Sequence, residues 1–335
     1  MADRAHELTD QEIERIQRHL MTVYRRAEKT AAAELKKYAE TIKERSDELQ
    51  NAIDEAETED EKKKAKAEYK RFYSGKVLTD KRFKKTAGIV ADTLYKANIE
   101  AAAYINQRTA HIYAENYNQI GRGLGRDLNG YGFKEINDED AENGGRVTKQ
   151  TVDRKKDTEW NRKNVAQSVL VGALLLYGAS KIFGHAAKET TKKNLNSANR
   201  QASDMMTDAE NSGRLDSMYR AYDEGFGVKK YWIATLDNKT RDTHVEYDSM
   251  DPVDLDYEYA PGLKKPRDPD CSIMEEVCNC RCTIKYKGSQ EKSSTRTARE
   301  GEVTGSYKKS SSFEGTKTIT IDQMTYKEWA KWRSR

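Results

Sequence analysis

Apolar side chains recur every three or four positions through the first part of the chain, and charged side chains fill the positions between them. The stripe runs from Ile13 to Ile53 and resumes from Phe83 to Ile112. This spacing places the apolar residues on one face of a helix. Residues 1–120 are therefore predicted to form two long helices that pack as an elongated hairpin or bundle.

Local signals predict where these helices begin and end. Thr9 and Glu12 have the spacing of a capping box, so the first helix is predicted to begin there. The second helix is predicted to begin near Asp80 and to end at Gly121. Residues 121–146 are rich in glycine, but their Gly-x-Gly-x-Gly run lacks the Lys-Ser/Thr of a phosphate-binding loop. They are predicted to be a flexible linker.

The pattern becomes helical again over residues 147–228. Within this region, an apolar helix free of charge is predicted over residues 165–180, flanked by Arg162, Lys163 and Lys181. A membrane-spanning helix needs about 20 apolar residues, and this run is shorter. A buried position in a bundle or at an oligomer interface is favoured, and insertion into a membrane is the alternative.

The last third of the chain has a different character. Residues 229–287 contain a β-type run together with all four prolines and all four cysteines, which indicates a small α+β domain. Residues 288–317 are rich in Ser, Thr, Lys and Gly and are predicted to be a flexible linker. Residues 318–335 are predicted to hold a strand and a terminal helix. That helix is expected to present three aromatic residues on one face: Tyr326, Trp329 and Trp332.

The predicted fold is thus mainly α, with a long helical hairpin or bundle followed by a small α+β domain and a flexible C-terminal tail. Charged residues make up 35% of the chain, which argues against one large buried core. The N-terminal residues lack the apolar region of a signal peptide, so synthesis in the cytoplasm with reduced thiols is expected.

The 60 basic and 56 acidic residues are too evenly balanced for a protein that binds DNA through bulk charge. Local basic clusters are candidates for contact with double-stranded DNA, and the favoured alternative is a solvated helix face. The cluster residues are Lys81, Arg82, Lys84, Lys85, Arg154, Lys155, Lys156, Lys192 and Lys193.

The cysteine-rich segment offers candidate metal ligands. Zinc binds four nitrogen or sulfur ligands tetrahedrally. Five residues supply such atoms: His244, Cys271, Cys278, Cys280 and Cys282. Residues two apart on an extended strand lie about 6.6–7 Å apart, whereas sulfurs that share a zinc ion lie about 3.8 Å apart. The last two cysteines therefore both bind only if their side chains converge or the backbone bends. A zinc site, unligated thiols and a disulfide formed late are all left open.

The same residues match an enzyme signature only in part. His244 and Glu246 match half of the zinc-deaminase signature, but Asp270 separates Pro269 from Cys271 and the next cysteine is seven residues away. A nuclease needs carboxylates or a second histidine beside its metal, and turn formation accounts for most of the aspartates here. No catalytic residue is assigned, and a zinc-dependent nucleic-acid-processing enzyme is kept only as an alternative.

Two short segments of the small domain carry a specific pattern. The first reads W-x-A-T-x-D-x-x-T-R-x-x-H from Trp232 to His244, and the second reads N-C-R-C from Asn279 to Cys282. Together with a proline-rich middle and a terminal segment from residue 324 to 329, they resemble the phage Mu protein F-like family of minor head, or head-morphogenesis, proteins. The resemblance covers about residues 200–287 and this tail. The motif residues expected to be structural are Trp232, Asp237, Thr240, Arg241, Asn279 and Arg281.

The resemblance implies a minor capsid protein without an active site. Such a protein would be made in the host cytoplasm and located in the capsid interior of the virion. It would enter the procapsid through contacts with the portal protein or the inner capsid, and would associate with the packaged DNA or be ejected with it. Long helices suit these contacts or self-association, and an ejected protein that contacts a membrane through residues 165–180 is the other alternative.

Overall fold

A computed structural model describes residues 4–144, 147–287, 295–299, 318–322 and 324–333. The structure is mainly helical, which confirms the predicted fold class. The chain divides into two compact units. The mixed unit takes in the described parts of residues 1–17, 104–149 and 200–335, and the helical unit takes in residues 18–103 and 150–199.

The helices of the described residues are α1 (Arg4–Asp54), α2 (Glu59–Arg71), α3 (Lys81–Asp127), α4 (Asp138–Asn143), α5 (Arg154–Leu174), α6 (Ala179–Asp223), α7 (Asp242–Asp248), α8 (Met274–Val277) and α9 (Tyr326–Arg333). A π-helical turn, Phe72–Val77, follows α2. The strands are β1 (Lys229–Ile233), β2 (Val253–Asp254), β3 (Thr283–Lys287), β4 (Thr295–Arg299) and β5 (Thr318–Asp322).

The core of the helical unit is built from the predicted apolar stripes. Leu20 of α1 and Leu94 of α3 are fully buried there. A polar cluster lies in the same unit, where the Asn98 amide donates to Asp157 of α5 at 2.7 Å and to Asn194 of α6 at 2.8 Å. Because part-buried polar groups need partners, these bonds fix which faces of α3, α5 and α6 meet.

The mixed unit places a three-stranded antiparallel sheet, in the order β2-β1-β3, against α3 and α6. Met218, Trp232 and Ile284 are buried in the shared core. The two helices approach closely at Gly213, where a Cβ atom would lie 2.3 Å from the carbonyl oxygen of Tyr113. A larger residue at this position would push α3 and α6 apart.

Buried charges join α6 to β3 in this unit. Glu210 accepts hydrogen bonds from the hydroxyl of Thr283 at 2.9 Å and forms an ion pair with Arg214 at 3.1 Å. Arg214 also donates to the carbonyl oxygen of Ile284 at 3.3 Å. Both charged side chains are 1% exposed, so each depends on the other for compensation of its lost hydration.

The first helix begins upstream of the predicted capping box. Thr9 lies inside α1, is buried, and donates its hydroxyl to the carbonyl oxygen of Ala5 at 3.0 Å. Asn116 of α3 donates to the same hydroxyl at 3.3 Å. Thr9 therefore faces the core of the mixed unit. Its hydrogen bonds within the helix and with α3 explain why a threonine occurs here, although the sequence pattern placed it at the helix end.

The predicted linker over residues 121–146 is also wrong at its start, because α3 continues to Asp127. The glycines of this run allow close packing within a helix. A Cβ atom at Gly121 would lie 1.9 Å from the ring of Phe133, and one at Gly123 would lie 2.4 Å from the hydroxyl of Tyr286. The short helix α4 occupies part of the same predicted linker.

The apolar run over residues 165–180 is not a single helix. α5 ends at Leu174 and α6 begins at Ala179, and Leu176 between them has a left-handed backbone with φ of 55°. Gly172 in the last turn of α5 lets the two helices pack closely. A Cβ atom at this position would lie 3.2 Å from the side chain of Ile182. Among the described residues, no helix is long and apolar enough to span a membrane.

The C-terminal region contains more structure than predicted. β4 lies within the predicted linker over residues 288–317 and pairs antiparallel with β5, and the other positions of that linker lie outside the described residues. The predicted strand and helix of residues 318–335 are present as β5 and α9. Trp329 is 2% exposed, but Trp332 is 51% exposed, so the predicted aromatic face is only partly buried.

Candidate metal centre

The first family-like segment enters the site through β1 and a tight turn. Trp232 is the penultimate residue of β1 and is 1% exposed. The Asp237 carboxylate accepts hydrogen bonds from the backbone of Lys239 at 2.8 Å and from the hydroxyl of Thr240 at 3.2 Å. Such a side-chain-closed turn is typical of aspartate. The turn leads directly into α7, which carries His244.

The second segment enters through a type II β-turn. The backbone of Cys280 donates to the carbonyl oxygen of Val277 at 3.3 Å. Cys278 has φ −61° and ψ 127°, and Asn279 has φ 54°. A type II turn requires a positive φ at its third residue, which favours glycine or asparagine. The turn reverses the chain just before the two cysteines that precede β3.

Three side chains converge where these segments meet. The ligand atoms of His244, Cys280 and Cys282 all lie within 4.8 Å of one another. The Nδ1 atom of His244 lies 3.4 Å from Sγ of Cys282 and 3.8 Å from Sγ of Cys280. All three residues are buried. One nitrogen and two sulfur atoms in this arrangement can bind a metal ion.

The other two predicted ligands are not part of this group. Cys271 is half-buried and its thiol lies 3.5 Å from the carbonyl oxygen of Ile273. Cys278 is exposed, because the turn directs it away from the buried pair. The predicted five-residue ligand set is therefore reduced to three in the described part of the chain.

The far side of the histidine ring meets a carboxylate. Nε2 of His244 lies 2.9 Å from Oε2 of Glu276, which is on α8. The hydroxyl of Thr243 donates to both oxygens of Glu276, at 3.1 and 3.0 Å. Aromatic rings complete the enclosure, with Trp232 edge-on to His244 at a centroid distance of 5.0 Å and Tyr247 at 5.7 Å. The contact with Glu276 is at ion-pair distance but lacks hydrogen-bond geometry, so the carboxylate faces the ring as a nearby charge.

The two buried thiols have opposite electrostatic surroundings. Burial raises the pKa of Cys280, and its hydrogen bond to Cys282 raises the pKa further. Burial also acts to raise the pKa of Cys282, but hydrogen bonds from Cys280 and His244 outweigh it, so the pKa of Cys282 is lowered. The pair therefore favours one thiolate, which is the form that binds metals.

The remaining motif residues hold the two segments together. Arg281 forms an ion pair with Asp237, and Arg241 donates to the carbonyl oxygen of Cys278 in the type II turn. Thr240 donates to the carbonyl oxygen of Thr235. Each of these contacts either closes one segment or ties it to the other. All six predicted structural motif residues thus lie in the two segments that carry the three candidate ligands.

The predicted DNA-contact residues lie elsewhere. Lys81, Arg82, Lys84 and Lys85 are exposed at the start of α3, and Lys155 and Lys156 are exposed in the first turn of α5. Arg154 lies 3.7 Å from Asp92 and 5.6 Å from the ring centre of Tyr95. All of them belong to the helical unit, whereas the candidate metal centre belongs to the mixed unit.

Sequence reasoning missed two residues at the site. Glu276 lies outside both motif segments. The one sequence feature that could have pointed to it is its position two residues before Cys278. Asp248 accepts hydrogen bonds from the backbone of Ala234 at 2.8 Å and from the backbone of Tyr326 at 2.7 Å. No local sequence signal connects Asp248 with the C-terminal helix, because their contact spans 78 residues.

The chain shares one short stretch of similarity with a known protein. No protein-family model matches the chain, and no solved structure matches it. A stretch of 79 residues is 37% identical to part of the NAD(+)–arginine ADP-ribosyltransferase EFV of Enterococcus faecalis. The match covers 22% of this chain and 16% of that protein, so the chain spans a small part of the relative's length. A match of this extent assigns neither a family nor an activity.

Proposed function

We propose that this chain is a phage minor head protein of the Mu protein F-like kind, a structural and interaction protein rather than an enzyme. The observation that supports the proposal is the closure of the two family-like segments on each other. Trp232 to His244 and Asn279 to Cys282 are far apart in sequence, yet the three metal-binding side chains and the Asp237–Arg281 ion pair join them. The two segments that carry the resemblance therefore fold together as one unit.

The same proposal assigns zinc to the candidate metal centre. One imidazole nitrogen and two thiolates are donors that zinc prefers, at about 2.0–2.1 Å for nitrogen and about 2.3 Å for sulfur. His244 would bind through Nδ1, because Glu276 occupies its Nε2 side. The ligands are 1–3% exposed, so the ion would be shielded from solvent, and the described residues supply three of the four ligands that zinc takes.

In this role the protein acts through its surfaces. The long helices α1, α3 and α6 offer contacts to the portal protein, to the inner capsid or to a second copy. The expected location is the interior of the virion after synthesis in the host cytoplasm. Contact with packaged double-stranded DNA through the basic residues in the first turn of α5 belongs to the same proposal.

Zinc content tests the metal assignment. The full chain purified with zinc is expected to hold about one ion per molecule, measured by inductively coupled plasma mass spectrometry. His244→Ala and Cys280→Ser should lose the ion, because each removes one of three protein ligands. Cys278→Ser is the matched control, since this cysteine is exposed outside the group, and it should keep the ion. Equal zinc content in Cys280→Ser and Cys278→Ser would contradict the assignment.

Particle composition tests the role in the head. In a phage that encodes this chain, peptides of the protein are expected in purified heads at a few copies per particle, and the protein should co-purify with the portal protein from lysates. A nonsense mutation in the gene should remove the peptides and leave the major capsid protein. Abundant protein in the lysate and none in purified heads or with the portal would overturn the proposal, whatever the zinc measurement shows.

A further inference from the structure

One end of the helical unit brings together the π-helical turn and the adjacent ends of α2, α3, α5 and α6. Phe83 near the start of α3 packs against Phe183 near the start of α6, with ring centroids 6.2 Å apart. Tyr69 in the last turn of α2 donates its hydroxyl to the carbonyl oxygen of Tyr177, between α5 and α6. α5 also packs against α2 and against the π-helical turn. We call this end the leucine tip, and it comprises residues 69–85 and 171–184.

The leucine tip exposes large apolar side chains. Leu174 is 59% exposed, Leu175 is 53% exposed and Val171 is 46% exposed. Helix connections are normally polar, because their side chains face water. Here the connection between α5 and α6 is Leu-Leu-Tyr-Gly, and Leu176 adopts a left-handed backbone that leucine rarely adopts. Adjacent exposed leucines at such a point indicate a contact surface.

The leucine tip is also strongly basic. Residues 69–85 contain seven basic residues and one acid, Asp80, which accepts hydrogen bonds from the hydroxyl of Tyr38 and the backbone of Arg82. Residues 160–188 contain no acid. α1 reaches the same end through the hydrogen bond between Ser46 and Tyr73 and contributes charges of both signs. The excess of positive charge therefore comes from α2, the π-helical turn, α3 and α6.

We propose that the leucine tip binds the surface of an anionic lipid bilayer. Exposed leucines gain nothing from a DNA phosphate backbone, whereas a bilayer interface accepts apolar side chains and its acidic headgroups attract lysine and arginine. Lys181 lies 3.9 Å above the ring of Tyr177, an arrangement that suits the headgroup region. The apolar part of α5, from Val165 to Leu174, is about half the length needed to cross a bilayer, so the tip lies in the interface.

Vesicle flotation of the full chain tests this inference, which does not depend on the proposed function. The chain should float with vesicles of phosphatidylcholine and phosphatidylglycerol and remain in solution with phosphatidylcholine alone. Leu174→Ser/Leu175→Ser should lower the partition coefficient about tenfold or more, because both exposed apolar chains are removed. Lys84→Glu/Lys85→Glu should lower it similarly through charge reversal.

Matched variants away from the tip serve as controls. Ile99→Ser removes an apolar side chain that is 43% exposed on α3, and Lys29→Glu/Lys96→Glu makes the same change in net charge on α1 and α3. Both should float as the original chain does, and circular dichroism melts of all variants should coincide. Equal flotation of the tip and control variants would overturn the inference. So would a chain that never floats but binds double-stranded DNA through Lys84 and Lys85, which would assign the tip to nucleic acid.

Discussion

Asn279 has a left-handed backbone with φ of 54°, and the geometry of the two buried cysteines depends on it. On an extended strand, Cys280 and Cys282 would hold their side chains about 7 Å apart. The type II turn that ends at Cys280 instead brings both sulfurs within reach of His244 Nδ1. The Cys-x-Cys spacing alone could not predict this convergence. The asparagine before Cys280 is the signal for it, since few other residues accept the third position of this turn.

A substitution series at Asn279 follows from this backbone. Asn279→Gly should leave the free energy of unfolding within about 0.5 kcal/mol of the original, because glycine accepts a positive φ. Asn279→Val should lower it by about 1–3 kcal/mol, since a β-branched residue is strained there. The measurement is urea unfolding of the metal-loaded chain. Equal stability of the two variants would contradict the assigned turn.

Lys230 of β1 is a buried cation whose charge opposes folding. Its ammonium group is fully buried and donates to the carbonyl oxygens of Leu255 and of Tyr257, the latter at 2.8 Å. Burial, reinforced by the nearby charge of Lys264, lowers its pKa to about 8. The unfolded chain binds this proton up to about pH 10.4, so between pH 8 and 10 the unfolded state holds one more proton than the folded state. Stability must rise with pH in that window.

We therefore expect Lys230 to contribute an increase on the order of 2 kcal/mol to the free energy of unfolding between about pH 8 and 9.5. Lys230→Met should remove this increase, because no proton is then released on folding. Lys229→Met is the control, since the neighbouring Lys229 is exposed and should keep the increase. Chemical denaturation at several pH values measures the slope. A slope that is the same in Lys230→Met and Lys229→Met would refute the argument.

At the scale of elements, the C-terminal helix α9 is anchored next to the candidate metal centre. Asp248 accepts the backbone hydrogen of Tyr326 with one oxygen and that of Ala234 with the other. The hydroxyl of Tyr326 donates to the carbonyl oxygen of Asp237 at 2.9 Å, and Trp329 packs with Leu236. One carboxylate thus holds both α9 and the turn that carries Asp237.

Removal of that carboxylate should release α9. In Asp248→Ala, two part-buried backbone donors lose their acceptor, which costs about 1–3 kcal/mol for each group left unsatisfied. Hydrogen exchange measured by mass spectrometry should become faster over residues 324–333 and around Ala234. Trp332→Ala is the control, because Trp332 is 51% exposed and its loss should leave exchange unchanged. Unchanged exchange at α9 in Asp248→Ala would show that other contacts hold this helix.

The helices were largely predictable from apolar periodicity, whereas several of their ends were not. The stripe residues Leu20 and Leu94 are buried as the spacing predicts. The glycines after Ile120 signalled a linker, yet α3 continues through them because Phe133 and Tyr286 fill the space that a Cβ atom would take. Contacts between distant segments decide these positions, and a local pattern does not contain them. The same reason explains why Asp248 and Glu276 were missed.

At the scale of the whole molecule, the two units differ in what stabilises them. The helical unit relies on apolar stripes and on the polar cluster around Asn98. The mixed unit contains a small sheet, buried ion pairs and the proposed zinc ion. The ligands of this ion come from two segments, and His244 and Cys280 are 36 positions apart in the sequence. Because the free energy of metal binding adds to that of folding, loss of zinc should weaken the mixed unit selectively.

Chelation of the zinc-loaded chain should therefore give a local response. Hydrogen exchange is expected to become faster over residues 231–248 and 276–287, where the ligands and β3 lie, and to stay unchanged over residues 20–50 of the helical unit. Cys280→Ser without chelator should reproduce the pattern, and Cys278→Ser should behave as the original chain does. A uniform response across both units would mean that the ion does not act on the mixed unit alone. No response at all would mean that the buried thiols and the imidazole hold this site without a metal, through the hydrogen bonds between His244, Cys280 and Cys282.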